Sequence, residues 1–176
     1  MKLFFFLMCL SIVGCQTTKS EKQFTENEKI RLIKSLKRDD INGQINLFFR
    51  SLDIRDYVKA REIVGDKILV DLGAGEKEKS GDEFIEMMKV YHKDLDGTLH
   101  SLTNNSSYLQ ETSSQLKITA ITTHYKKTKS GKNLRNQYGV YEVELMQPTN
   151  EKEFWNWKIS KFKYVNRFTD GNVNLK

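Results

Sequence analysis

Few side chains in this chain can exchange a proton near neutral pH: there are three histidines, His92, His100 and His124, and two cysteines, Cys9 and Cys15. His100 lies in "TLHSLTNN", residues 98–105. If that segment is a strand, alternation places Thr98, His100, Leu102 and Asn104 on one side. An imidazole and a carboxamide then converge from a partly apolar face. They can line a pocket, where a neutral imidazole serves as a general base, or stand as satisfied polar groups at a sheet margin. The stretch by itself leaves both open. Metal binding finds no HxH or HExxH spacing among the histidines. The glycine-rich "GAGEKEKSG" lacks the GK[ST] ending of a phosphate loop, and its charge pairs would crowd a phosphate. Neither metal nor cofactor is expected. His92, on the polar side near the end of a helical segment, reads as a favourable charge at a helix C-terminus.

The elements that must position these residues follow from the apolar pattern. Order should begin near Glu26, and from Ile30 to Leu52 the apolar residues Ile30, Ile33, Leu36, Ile41, Ile45, Phe48, Phe49 and Leu52 recur mostly at three- and four-residue steps, as an amphipathic helix requires. The "KRDD" run is a place where it can bend. A second helix is expected over about Asp56 to Val64, capped by Asp53 or its neighbours. "KILVDLG" reads as a short strand. Ser80 with Glu83 forms a capping box that opens a third helix through Phe84, Met87, Met88 and Tyr91. From Gly97 onward the chain changes to four long β-branched and aromatic segments separated by turn-like sequences such as "KSGKN" and "PTNEKE". Helices first and strands later predict an α+β domain, a strongly curved antiparallel sheet with the N-terminal helices on one face.

The 176 residues suit one domain with a real core. A hydrophobic share of 38% points to a globular protein, and a mean hydropathy of −0.59 excludes a multi-span membrane protein. Only "MKLFFFLMCLSIVGC" looks membranous. Its apolar run from Leu3 to Val13 is too short for a spanning helix, which needs about 20 residues, so a cleaved signal is expected. Ile12-Val13-Gly14-Cys15 resembles the lipobox of bacterial lipoproteins, which implies acylation of Cys15. The expected organisation is a signal peptide over 1–14, a flexible tether over 15–26 and a domain over 27–176. Cys9 would leave with the signal, and the mature domain would hold no free thiol or disulfide. Gln16 stands where an aspartate favours inner-membrane retention, so the expectation is an outer-membrane anchor facing the periplasm. The run "YKKTKSGKNLR" is a basic, solvated hairpin on a chain of pI near 9.2, able to touch anionic lipid or polymer. No nucleic-acid module is present.

Several phrases share the order of a known family. "INLFFRSLDIRDYVKAREIVGDKILVDLG", "GTLHSLTNN", "YGVYEVEL", "FWNWKISKFKY" and "DGNVNL" resemble, in sequence, the helices, histidine-bearing strand, glycine-tyrosine strand, last strand and tail of SnoaL-like members of the nuclear transport factor 2-like superfamily. The likeness runs from about Asp39 to Leu175. It implies a cone made by a bent sheet, with helices closing it over a cavity. In the scytalone dehydratase-like branch an aspartate and two strand histidines form the polar machinery; Asp53, His100 and His124 match them. Asn104 and Tyr141 would line the same pocket, with Tyr108 as a second candidate phenol. Leu52 and Leu72 occupy positions where that branch carries tyrosines, which argues against dehydration. Two readings stay open. One is a lipid-anchored domain that binds a small hydrophobic or carbonyl-containing molecule, with isomerase, cyclase or hydrolyase chemistry. The other is a non-enzymatic envelope protein with a vestigial pocket. Homodimerisation through the outer sheet face is common in the family.

Overall fold

The computed structural model describes residues 24–110, 113–128, 131–147 and 156–171, with the side chains of Asn104, Asn105, Thr128, Lys132 and Asn133 left outside that description. Cys15 and the signal, most of the tether, Trp155, part of the basic hairpin and the tail after Gly171 also lie outside the described residues. The elements are α1 (Glu26–Asp53), α2 (Tyr57–Ile63), β1 (Val64–Asp71), β2 (Lys77–Ser80), α3 (Gly81–His92), β3 (Gly97–Leu109), β4 (Ser113–Thr128), β5 (Gly131–Met146) and β6 (Lys158–Gly171). The protein is an α+β cone whose sheet is mostly antiparallel.

Helix boundaries follow local chemistry. Thr25 caps α1 and Ser80 caps α3, each through a reciprocal capping box with the glutamate three residues on. The cap of α2 is Asp56, whose carboxylate accepts from the Lys59 amide at 3.0 Å. α1 runs unbroken through "KRDD". Its first half does not join the core, however: Ile30, Leu32, Ile33 and Leu36 are between 43% and 48% exposed, whereas Ile41, Ile45 and Phe48 are fully buried.

The described strands form one sheet of order β2-β1-β6-β5-β4-β3. Two details depart from the sequence reading. β2 falls inside "GAGEKEKSG", expected as a loop, and pairs with β1 through Lys67–Ser80 to Val70–Lys77. β1 pairs with β6 in parallel, so the sheet is mixed. The core lies between the helices and one sheet face, where Leu116, Ile118 and Ala120 of β4, Tyr141, Val143 and Leu145 of β5 and Trp157, Ile159 and Phe162 near or on β6 meet Phe48, Phe49 and Phe84. Bulges on β6, one between the pairs Leu145–Ile159 and Glu144–Lys161 and one between Gly139–Asn166 and Tyr138–Phe168, insert extra residues and bend the strand. That bending gives the sheet the curvature a cone requires.

Candidate active site

Three elements bring the candidate residues to one place. Asp53 is the last residue of α1, His100 is on β3 and His124 is on β4. The α1–α2 corner turns through Arg55, a non-glycine residue at φ 61°. Its guanidinium donates to the His92 carbonyl at 3.3 Å and also to the Leu95 carbonyl, tying the end of α1 to the segment that leads into β3. The Asp53 carboxylate is held by β3 directly. Its Oδ2 accepts from the His100 backbone amide at 2.9 Å, and its Oδ1 accepts from Thr98 Oγ1 at 3.0 Å and meets His100 Nδ1 at 2.6 Å. With Nδ1 donating to the carboxylate, Nε2 becomes the lone-pair nitrogen of the neutral ring.

His100 and His124 both line a cavity of about 530 Å³, together with Phe49, Leu52, Leu72 and Tyr141. Register explains the convergence: His100 pairs with Thr122 and Thr98 with His124, so both rings belong to rows on the helix-covered face. Phe49 packs against the His100 ring at 4.9 Å between centroids. The Tyr141 hydroxyl lies 3.1 Å from Thr122 Oγ1. Tyr108 does not take part. A register shift between Thr103 and Ser106 adds a residue to β3, which reverses the parity beyond it and leaves Tyr108 65% exposed. The side chain of Asn104, at that same irregularity, is outside the described residues.

His92 is the residue that sequence reasoning misplaced. It is buried, 5% exposed, and lines the same cavity as the other two histidines. Its Nδ1 lies 3.2 Å from the Tyr57 hydroxyl, and the two rings stack. A charge at a helix C-terminus does not describe it. Burial, followed by repulsion from His100, His124 and Arg55, pushes its pKa down to about 4 despite the opposing pull of Asp53. The four-residue link from α3 to β3 folds the helix end over the cone mouth, and no periodicity signals that.

The electrostatics set one ionised carboxylate, Asp53, among neutral surroundings. Burial raises the Asp53 pKa, but the hydrogen bonds and charge of His100, with the Thr98 hydroxyl, more than offset this and hold the carboxyl below its ordinary value. His124 is pushed down to about 4, first by burial and then by His100, with Gln137 acting in the opposite direction. Both ring nitrogens of His124 are shielded from water, and neither has a hydrogen-bond partner of normal geometry among the described residues. Burial raises the Tyr141 phenol well above its ordinary range. Among the described residues, no three histidine, cysteine or acidic side chains are arranged to hold a metal ion. A larger groove of about 680 Å³ is lined by Arg61, Asp66 and Asp82 among others, but there Arg61 is engaged by Asp82 at 2.7 Å and by Asp66 at 3.3 Å.

No family model and no curated protein matches the chain. Solved structures do. A candidate scytalone dehydratase from Novosphingobium aromaticivorans aligns at TM-score 0.67 and 13% identity, over 83% of this chain and 92% of that one. The hexachlorocyclohexane dehydrochlorinase LinA-type3 from Novosphingobium barchaimii aligns at TM-score 0.67 and 15% identity, over 82% and 96%. A candidate dehydratase of the NTF2-like family from Streptomyces avermitilis aligns at TM-score 0.64 and 9% identity, over 76% and 97%. At such identities the likeness is one of backbone architecture. Helices closing a bent sheet over a cavity, in the same order along the chain, give this protein the nuclear transport factor 2-like fold.

Proposed function

We propose that the protein is a lipid-anchored envelope protein of SnoaL-like type whose cavity binds a small, largely hydrophobic carbonyl compound and shifts a proton on it without metal or cofactor. The observation that carries this reading is the Asp53–His100 contact at 2.6 Å on the wall of a cavity large enough for a small molecule. His100 Nε2 takes a proton from carbon next to the substrate carbonyl, and the Asp53 carboxylate stabilises the imidazolium that forms. The neutral His124 ring donates a hydrogen bond to the carbonyl oxygen, where negative charge develops. Return of the proton to a different carbon completes an isomerisation, and loss of a leaving group completes an elimination. Each acid–base partner contributes roughly 10²–10⁴-fold.

Leu52 and Leu72 line the cavity with hydrocarbon. That favours isomerisation over dehydration, because neither position offers a phenol to hold a water molecule. The names of the similar structures support small-molecule chemistry in this fold; the identity of the substrate does not carry over from them. Acylation of Cys15 rests on the lipobox-like "IVGC", and placement at the outer membrane on Gln16 behind it.

The test is carbon-bound deuterium incorporation in D2O, followed by NMR over a panel of small ketones and enones. The wild type should exchange at least one α-proton, and His100→Ala should lower the rate at least a hundredfold. If the panel binds but exchange is the same in wild type, His100→Ala and buffer, the pocket is a binding site only and the non-enzymatic reading replaces this one.

A further inference from the structure

α1 is longer than its packing requires. At about 1.5 Å per residue its 28 residues reach roughly 42 Å, yet the buried residues begin only at Ile41. The preceding three turns carry Ile30, Leu32, Ile33 and Leu36, all nearly half exposed, and Phe24 just before the helix is 52% exposed. At ~100° per residue the four helical aliphatics sweep an arc of about 160°, within which Glu26, Lys29 and Lys37 also project. From Glu26 to Arg38 the helix carries five basic residues, Lys29, Arg31, Lys34, Lys37 and Arg38, against two acidic ones, Glu26 and Glu28. Glu28 is engaged in the Thr25 capping box, and Glu26 lies 3.7 Å from Lys29. Lys34, Arg38 and Arg31 flank one side of the arc, and the long stems of Lys29 and Lys37 rise between its aliphatics. An apolar face bordered by cations is the pattern of a helix lying in a membrane interface.

The covalent geometry supplies the occupant. Cys15 precedes Phe24 by nine residues (24 − 15), which span at most about 32 Å even when extended. A chain acylated at Cys15 therefore cannot move the start of α1 far from lipid. A second copy fits the same face poorly, since pairing two such helices would set five basic residues against five. No described helix is long and apolar enough to cross the membrane, so contact would be with its surface.

We propose that the first three turns of α1 dock on the anionic surface of the membrane that holds the acyl anchor, with Ile30, Leu32, Ile33 and Leu36 among the lipid and the flanking lysines and arginines at phosphate level. The interaction fixes the orientation of the cone, so that the protein is held at two points rather than swinging on its tether. Lysine and arginine stems can lie along the apolar interface while their charges reach outward. The proposal rests on the lipid-anchor reading, and its test separates the two.

The full-length chain carrying Ile33→Cys is purified, reconstituted into vesicles of phosphatidylglycerol and phosphatidylcholine, and spin-labelled; Val58→Cys, on exposed α2, serves as the aqueous reference. Intact mass reads acylation of Cys15. Relative accessibility to oxygen and to a water-soluble nickel complex reads depth. An acylated chain with the label at position 33 favouring oxygen, and the label at position 58 favouring nickel, is the expected result. Replacing Lys34, Lys37 and Arg38 with glutamine, or omitting phosphatidylglycerol, should shift position 33 towards nickel. An acylated chain with position 33 in water overturns the docking alone. A chain without acyl groups overturns the anchor and the docking with it. Concentration-dependent spin–spin broadening at position 33 would assign the face to a second copy and overturn the proposal.

Discussion

Asp53 is the point on which the site's geometry turns, because one carboxylate receives three donors from two successive rows of β3. An asparagine in its place keeps one carbonyl oxygen but loses the charge and the second acceptor. Hydrogen bonds to charged groups are worth about 1.5–3 kcal/mol each, so Asp53→Asn should lower unfolding stability by about that amount in a urea titration. It should also release the His100 ring: nitrogen NMR should show the Nδ1–H tautomer losing its dominance, and proton-transfer activity should fall with it. Unchanged tautomer populations would show that the backbone amide alone orients the ring. The chain made this pair legible because aspartate and histidine stand in phrases whose order matches a fold family. His92 was not legible. Its neighbours Tyr91 and Lys93 are exposed, so the local pattern reads as a solvated helix end, and only the Arg55 contacts with the His92 and Leu95 carbonyls reveal that this end is folded inward.

At the scale of elements, capped helices and long strands were readable since their signals lie within a few residues of one another. β2 was not, because glycine and alternating charge describe a loop equally well, and its pairing depends on β1. The parallel neighbour of β1 is almost a hundred residues away in sequence, as the Val64–Ile159 pair shows. Bulges are also invisible in the sequence, yet one decides that Tyr108 faces out. β5 illustrates how an element shapes the cavity through what it omits. Gly139 faces inward, and a β-carbon there would sit 2.3 Å from the Tyr164 ring. Tyr164 in turn packs on Tyr141 at 4.7 Å between centroids. Gly139→Ala should force Tyr164 out of that position and towards the cavity it lines. Overpacking of this kind costs about 1–3 kcal/mol. A lower melting temperature with weakened ligand uptake is the expected outcome; an unchanged melting temperature would mean that the flexible end of Tyr164 relocates at no cost.

For the molecule as a whole, burial of neutral histidines couples the cavity to acid stability. His92 and His124 titrate near 6.5 when exposed in the unfolded chain, and both are pushed down to about 4 in the folded one. Between those values the unfolded state binds more protons than the folded state, so stability is complete above about pH 6.5 and declines as pH falls towards 4. The charged groups facing the rings from neighbouring elements are Asp53 on α1, Arg55 at the α1–α2 corner, His100 on β3 and Arg135 on β5, and of these only Asp53 favours the protonated rings. Asp53 itself, held below its ordinary value, adds stability that is lost at lower pH, extending the decline in the same direction. At about 1.4 kcal/mol per pH unit, each neutral ring accounts for at most on the order of 3 kcal/mol. The melting temperature of the wild type should therefore drop steeply between pH 6.5 and 4, a window in which surface carboxylates alone would change it little. His92→Gln keeps a polar partner for Tyr57 without a titrating ring, and should flatten that slope while leaving the value at pH 7.5 within a few degrees. A slope equal to wild type in both His92→Gln and His124→Gln would show that the two rings are hydrated and titrate normally, so that burial does not hold them neutral through this window.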